Sequence, residues 1–263
     1  MIRALLSLLL LCCLLAACAM TPSRTAEGRF VQRQLQIEGR SYRYQVFVPA
    51  HLQAAGTPVV LFLHGSGERG SDGARQTQAG LGPYLRRHAA DFPAIVVLPQ
   101  APEGEEWAGI NARMALAALD AAGAELGGDR ARTYLTGMSM GGYGTWNAAL
   151  LAPGRFAALV PVCGGVRVPH ADRPTLHVDE VSALPDPHAA LAARIGATPV
   201  WMFHGALDDV VPPEDDRRLY RAFRAAGARA VRYTEYPDGN HNAWDATYAD
   251  PAMWAWLFSR RLP

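Results

Sequence analysis

Short apolar runs alternate along the chain with longer stretches in which apolar residues recur every three or four positions. Pro58 to Leu63, Ala94 to Leu98, Arg132 to Thr136, Phe156 to Val162 and Pro199 to Phe203 are the runs. Their length and continuity predict strands covered on both faces. Arg29 to Ile37 and Tyr42 to Val48 alternate apolar with polar residues around Glu38-Gly39-Arg40, which predicts an antiparallel strand pair. Ala230 to Tyr236 adds an eighth strand. Helical periodicity covers Pro83 to Ala90, Gly109 to Leu126, Met140 to Leu151, Pro213 to Ala226 and Pro251 to Arg261. The fourth of these is the best signposted. Pro212 and Pro213 open it, and Glu214, Asp215 and Asp216 suit its positive end. Leu219, Phe223 and Ala226 form its expected buried stripe, and Gly227 stops it. Strands alternating with helices predict an α/β domain, a mostly parallel eight-stranded sheet with helices on both faces. Gly164 to Pro199 carries no clear period and is expected to be an irregular cap or loop.

The N-terminus follows another grammar. Arg3, the apolar segment Ala4 to Leu15 and the small pair Ala16-Ala17 read as a signal peptide over residues 1–17. The apolar segment is too short to span a bilayer comfortably. Leu15-Ala16-Ala17-Cys18 resembles the bacterial lipobox, in which the cysteine is lipidated and becomes the mature N-terminus. Ala19 follows it rather than Asp, which resembles the pattern sorted to an outer membrane. The expected organisation is therefore a signal at 1–17, a tether at 18–28 and one domain at 29–263. The expected location is a lipid-anchored position in the cell envelope, facing the periplasm. An ordinary secretory signal that happens to contain Cys18 is the alternative.

Half of the residues are hydrophobic, ample for a core in one domain of this size. Every basic residue is arginine, the formal net charge is +1 and no segment is a basic block, so the electrostatic footprint of nucleic-acid binding is missing. Three of the four cysteines lie in or at the end of the signal, and Cys163 is left alone in an apolar run that suits a small buried hydrophobe.

In parallel α/β sheets, ligands sit at the carboxyl ends of strands. Those ends carry His64-Gly65-Ser66-Gly67, Gln100, Ser139, Cys163-Gly164-Gly165, His204 to Asp208, and Asn240-His241. Gly137-Met138-Ser139-Met140-Gly141 is a G-x-S-x-G pentapeptide between an expected strand and an expected helix, the setting in which a sharp turn lifts a serine clear of its neighbours. A serine nucleophile needs a base and an acid that orients the base, in the chain order Ser, acid, His for this type. Only His241 of the eight histidines follows the acidic cluster. Asp208 and Asp209 are both placed for the acid, and adjacent residues cannot both face His241. His170, Asp172, His177, Asp179 and His188 match no compact metal motif.

His204-Gly205-Ala206-Leu207-Asp208-Asp209-Val210-Val211-Pro212 resembles the H-G-x-x-D-x-x-V-P segment of the α/β-hydrolase superfamily, and Asp208 takes the acid's place in it. Asp209 then suits turn-making. Leu61 to Gly70, Pro99-Gln100 with Trp107, the G-x-S-x-G-G run and Gly239 to Asp245 resemble a narrower bacterial group. It comprises predicted peptidases, phospholipase/carboxylesterase-like proteins and polyhydroxybutyrate-depolymerase-like esterases. The resemblance implies an α/β-hydrolase fold, no cofactor, and an oxyanion hole from the backbone amides of Ser66 and Met140. It implies hydrolysis of a small or polymer-borne carboxylic ester by Ser139, His241 and Asp208 through an acyl-enzyme. A prolyl-oligopeptidase-like peptidase, an acyltransferase and an inactive binding lipoprotein are the alternatives. Glu68, Gln100, Trp107 and Trp244 are candidate substrate contacts. Their plainer roles are an ion pair of Glu68 with Arg69 and packing for the other three.

Overall fold

The computed structural model describes residues 27–53 and 56–263. The expected signal at 1–17 and the expected lipidation site Cys18 lie outside the described residues. Among the described residues, no helix is long and apolar enough to cross a membrane.

Eight strands form one sheet in the order β1-β2-β4-β3-β5-β6-β7-β8. β1 (Arg29–Ile37) and β2 (Arg40–Val48) pair as a hairpin, turned at Glu38 (φ 50°) and Gly39 (φ 77°). Two successive residues with positive φ match the right-handed twist of the flanking strands. β2 runs antiparallel to β4 (Ile95–Pro99). From β4 onward all pairings are parallel, through β3 (Thr57–Leu63), β5 (Gly128–Met138), β6 (Ala158–Val162), β7 (Val200–Gly205) and β8 (Val231–Tyr236).

The unbroken apolar runs serve two cores at once, because successive side chains of a strand point to opposite faces. In β3, Val59, Leu61 and Leu63 join the larger core, under α2 (Gly109–Leu126), α3 (Met140–Leu151), α4 (Pro187–Ile195) and α5 (Glu214–Ala225). Val60 and Phe62 join the other, under α1 (Leu81–Arg87), α6 (Trp244–Ala249) and α7 (Pro251–Phe258). Each fully buried Leu or Phe stabilises the fold by about 1.5–3 kcal/mol, so both faces of the sheet are fixed by the sequence pattern.

Three expectations need correction. The stretch after Gly164 is not wholly irregular: α4 lies within it, with Pro187 in its first turn and the Asp186 carboxylate accepting from the Ala189 N–H at 3.0 Å. A short helix, α6, follows the histidine loop where none was expected. In α5, Ala226 is exposed and lies past the last turn, whereas Asp216 is fully buried beside Leu219 and Phe223. A charged residue takes the place of an apolar one for reasons found at the site.

Strand order reverses between β3 and β5, because the chain builds β4 on one side of β3 and β5 on the other. The crevice at their carboxyl ends is where such sheets bind ligands. Gly65, Ser66 and Ser139 all lie there.

Candidate active site

Ser139 joins β5 to α3 with φ 54° and ψ −119°, a conformation that costs a non-glycine residue of order 1–3 kcal/mol. Its neighbours hold it there. The Ser139 N–H donates to Val162 O at 2.9 Å, and the Ser139 carbonyl accepts from the Gly142 and Tyr143 N–H groups at 2.8 and 3.3 Å. A methyl group at Gly137 would lie 2.1 Å from Gly141 O, and one at Gly141 would lie 1.9 Å from Leu63 O. Both glycines are therefore steric requirements of the turn. Ser139 is partly exposed between the buried Met138 and Met140.

His241, on the loop after β8, places Nε2 2.9 Å from Ser139 Oγ and Nδ1 2.7 Å from Asp208 Oδ2. Asp208 lies on the loop after β7. Its Oδ1 accepts from the Val210 and Val211 N–H groups, both at 2.9 Å. Asp209 is exposed and turned away, its backbone carbonyl 3.3 Å from His170 Nε2. Of the two adjacent aspartates, Asp208 is the one that meets His241.

Behind Asp208 stands a second His–Asp pair. His204 is fully buried, with Nδ1 2.8 Å from Asp216 Oδ2 and Nε2 2.8 Å from Val211 O and 3.2 Å from Asp208 Oδ2. A carbonyl can only accept, so Nε2 carries a proton. Burial opposes a charge on His204, but Asp208 and Asp216 outweigh it and raise its pKa to about 10. Burial likewise opposes ionisation of Asp208, yet His204, His241 and the Val211 amide hold its carboxyl far below the ordinary range. Asp216 is buried in α5 to reach this pair, which accounts for its place in the helix stripe. The next residue back, Asp215, points elsewhere, accepting from His188 Nε2 at 2.6 Å and from the Val166 and Arg167 N–H groups at 2.5 and 2.9 Å. Successive residues of a helix diverge by about 100°, so one acidic turn braces both the Asp208 loop and the segment after β6.

Met140 is the first residue of α3 and Ser66 the first of a 3₁₀ turn over Ser66–Glu68, positions whose N–H groups have no partner in a preceding turn. A methyl group on Gly65 would lie 3.6 Å from Ser139 Cβ, so the Gly65-Ser66 turn sits against the serine. His64 anchors that turn. Its Nδ1–H donates to Gly65 O at 2.6 Å, and its Nε2 accepts from the Ala101 N–H at 3.0 Å. Burial pushes its pKa down to about 4, so it is a neutral ring with a fixed tautomer. Cys163, beneath the site, is buried with φ 41°. Its sulfur lies within 4.8 Å of ligating atoms of Asp208 and His241, but burial pushes its thiol well above the usual range and those two residues are engaged with each other.

The four candidate substrate contacts divide. Trp244 stands edge-on to the His241 ring, centroids 5.4 Å apart, and walls the site. Gln100 does not line it. It is buried, accepting from the Gly73 N–H at 2.7 Å and donating to Asp72 Oδ1 at 2.9 Å and to Glu68 O at 3.2 Å, a brace beneath the loop. Trp107 is buried too, donating Nε1–H to His64 O at 2.9 Å. The expected Glu68–Arg69 ion pair does not form. Arg69 pairs instead with Glu106 at 2.7 Å, and burial pushes the half-buried Glu68 carboxyl upward. Sequence reasoning missed Asp216, the anchoring role of His64, and Arg173, whose Nη2 donates to Ser66 Oγ at 2.8 Å. His204 had a signal in its spacing to Asp208; Arg173 had none.

Residues 105–259 match the model of the prolyl oligopeptidase family. The chain belongs to that family. It is 29% identical over 221 residues to a poly(3-hydroxyoctanoate) depolymerase of Pseudomonas fluorescens, covering 76% of this chain and 74% of that one. A thermostable esterase superposes with a TM-score of 0.73 at 30% identity, over 88% of this chain and 63% of its own. An acylaminoacyl peptidase of Pyrococcus horikoshii shares the fold, with a TM-score of 0.66 and 18% identity, over 90% of this chain and 42% of its own. This chain thus spans less than two thirds of either structural relative. Ser139, Asp208 and His241 all fall within the matched segment.

Proposed function

We propose that this chain is a serine hydrolase that cleaves carboxylic esters through an acyl-enzyme. The single observation that supports it most is the continuous hydrogen-bonded line from Asp208 through His241 to Ser139. In this mechanism His241 Nε2 takes the Ser139 proton as Oγ attacks the ester carbonyl. Asp208 holds the Nδ1–H and steadies the imidazolium. The Met140 and Ser66 amides receive the developing oxyanion, each such donor being worth about 3 kcal/mol of transition-state stabilisation. His241 returns the proton to the departing alkoxide, then activates water to release the acid. The exposed apolar side chains of Leu207 and Val210, either side of Asp208 and Asp209, offer an acyl chain a surface beside the triad. The depolymerase and esterase relatives support an ester substrate, small or polymer-borne. An exported, lipid-anchored position through Cys18 is part of the same reading.

Family membership supports a second reading, a peptidase. The two demand different things of one triad. An alkoxide leaves with little help, whereas an amine must be protonated as it departs. The kcat/KM for a p-nitrophenyl ester, compared with that for an alanine- or proline-p-nitroanilide, separates them. Ester cleavage should lead by orders of magnitude, and equal or faster anilide cleavage makes the chain a peptidase. Ser139→Ala should fold, lose fluorophosphonate labelling and keep less than about 1% of kcat. A labelled or active variant removes Ser139 from the mechanism.

A further inference from the structure

Arg173 lies in the segment between β6 and α4, which passes over the carboxyl ends of the strands. It is half-buried, and among the described residues its one side-chain hydrogen bond runs from Nη2 to Ser66 Oγ at 2.8 Å. Ser66 is the residue whose amide is assigned above to the oxyanion. The contact therefore puts a guanidinium at the rim of the reacting centre.

Its electrostatic situation is unusual for a half-buried arginine of this chain. Among the described residues, the half-buried Arg33, Arg69, Arg132, Arg155 and Arg217 each meet a carboxylate within 4.0 Å, and the half-buried Arg260 lies over the Trp256 ring. Among the described residues, no carboxylate comes that close to Arg173. Glu106 is already taken by Arg69 at 2.7 Å and receives the Thr175 hydroxyl at 3.3 Å. Burial pushes the carboxyl of Glu68, the other acid of the rim, upward. A guanidinium carries five N–H donors in a planar fork. One is spent on the neutral Ser66 hydroxyl, and the other four have no protein acceptor among the described residues.

A half-buried arginine without a counter-charge, latched by one donor beside a nucleophile, is arranged to receive an anion from outside the protein. We infer that Arg173 is a specificity-determining residue that binds a free carboxylate carried by the substrate, so that the favoured esters are monoesters of dicarboxylic acids or carboxyl-terminated oligoesters. This rests on the esterase reading above. It fits the chemistry of chain shortening, because every cleavage of a polyester leaves a new carboxylate end that the same site can bind again.

The test uses two substrates of equal length that differ only in charge: mono-p-nitrophenyl glutarate and its methyl-capped diester. The quantity read is the ratio of kcat/KM for the acid to that for the methyl ester. In Arg173→Gln this ratio should fall at least tenfold from its wild-type value, chiefly through KM, and Arg173→Lys should lie between. With the wild type, raising NaCl from 0.05 to 0.5 M should lower the same ratio several-fold, because a partly exposed charge pair is screened. The salt series needs no variant and stands even if Arg173→Gln folds poorly. If Arg173 merely latches the segment to the Ser66 loop, both esters slow together, the ratio stays within twofold and salt leaves it unmoved; that result overturns the inference while leaving the esterase reading intact. Absence of turnover of either ester, together with no fluorophosphonate labelling, sinks the esterase reading and this inference with it.

Discussion

At Asp208 one carboxylate serves four donors: two backbone amides on Oδ1, and His241 with His204 on Oδ2. Asp208→Asn would present an NH₂ or a weaker acceptor to His241 and disturb its tautomer. The expected loss is about 10³–10⁴-fold in kcat on a p-nitrophenyl ester, whereas Asp209→Asn should stay within twofold. Equal losses in two variants of equal Tm would show that the Asp208 contact does not govern the rate. His64 leads to a pH prediction. Its pKa is lowered to about 4 in the fold, against about 6.5 when unfolded. Between those values only the unfolded chain binds the proton, so stability falls as pH drops through that window, by on the order of 3 kcal/mol. Urea midpoints at pH 7 and pH 4.5 should differ much less in His64→Gln than in wild type. Identical differences would mean that other groups set the acid lability. Ser139, His241 and Asp208 were legible in the sequence because chain order and local motif restrict each to one or two positions. Arg69 was misread because its partner Glu106 is close only in space. Glu68 is its neighbour along the chain alone.

At the scale of elements, the strand-to-helix joints carry the site. A methyl group at Gly141 meets the Leu63 carbonyl at 1.9 Å, and that carbonyl belongs to β3, so the clash cannot be relieved by a side-chain rotation. Gly141→Ala should push α3 off β3, cost at least about 3 kcal/mol and abolish fluorophosphonate labelling. A stable, labelled variant would mean that the turn has more room than the geometry allows. Asp215 makes the opposite kind of joint, between α5, α4 through His188, and the backbone at Val166-Arg167. Helices α2 and α3 were readable to their ends because long apolar periods and stop residues bound them. Helix α4 was hidden. It is nine residues long, and its buried face includes His188, whose polarity breaks the apolar stripe and is satisfied only by Asp215 from another helix. Polar pairs between elements leave no periodic trace in either element, and for that reason the support behind the triad was the least legible part of the site.

For the whole molecule, strand directions fix where a tether would attach. β1 is antiparallel to β2 and β2 to β4, so Arg29 pairs with Val48 at the level of the amino ends of the parallel strands. There the Gly28 N–H is held by Ala89 O at 2.6 Å. Ser139, Asp208 and His241 stand at the carboxyl ends. From Thr133, level with Val59 near the start of β3, to Ser139 is six residues, about 20 Å of strand. If Cys18 is lipidated as its surrounding sequence suggests, residues 18–28 can reach at most about 40 Å. That reach exceeds the length of the strands, so such a tether would leave the crevice free to face either the aqueous side or the bilayer. Anchoring and turnover should accordingly separate. Cys18→Ser should shift the protein from the membrane fraction to the soluble fraction, since the acyl chains contribute about 0.8 kcal/mol of membrane affinity per buried CH₂ and the fold contributes none. Its kcat/KM on a soluble ester should stay within twofold of wild type. Co-fractionation of variant and wild type would remove the lipid from Cys18. A large change in turnover of the soluble ester would mean instead that the membrane takes part in catalysis.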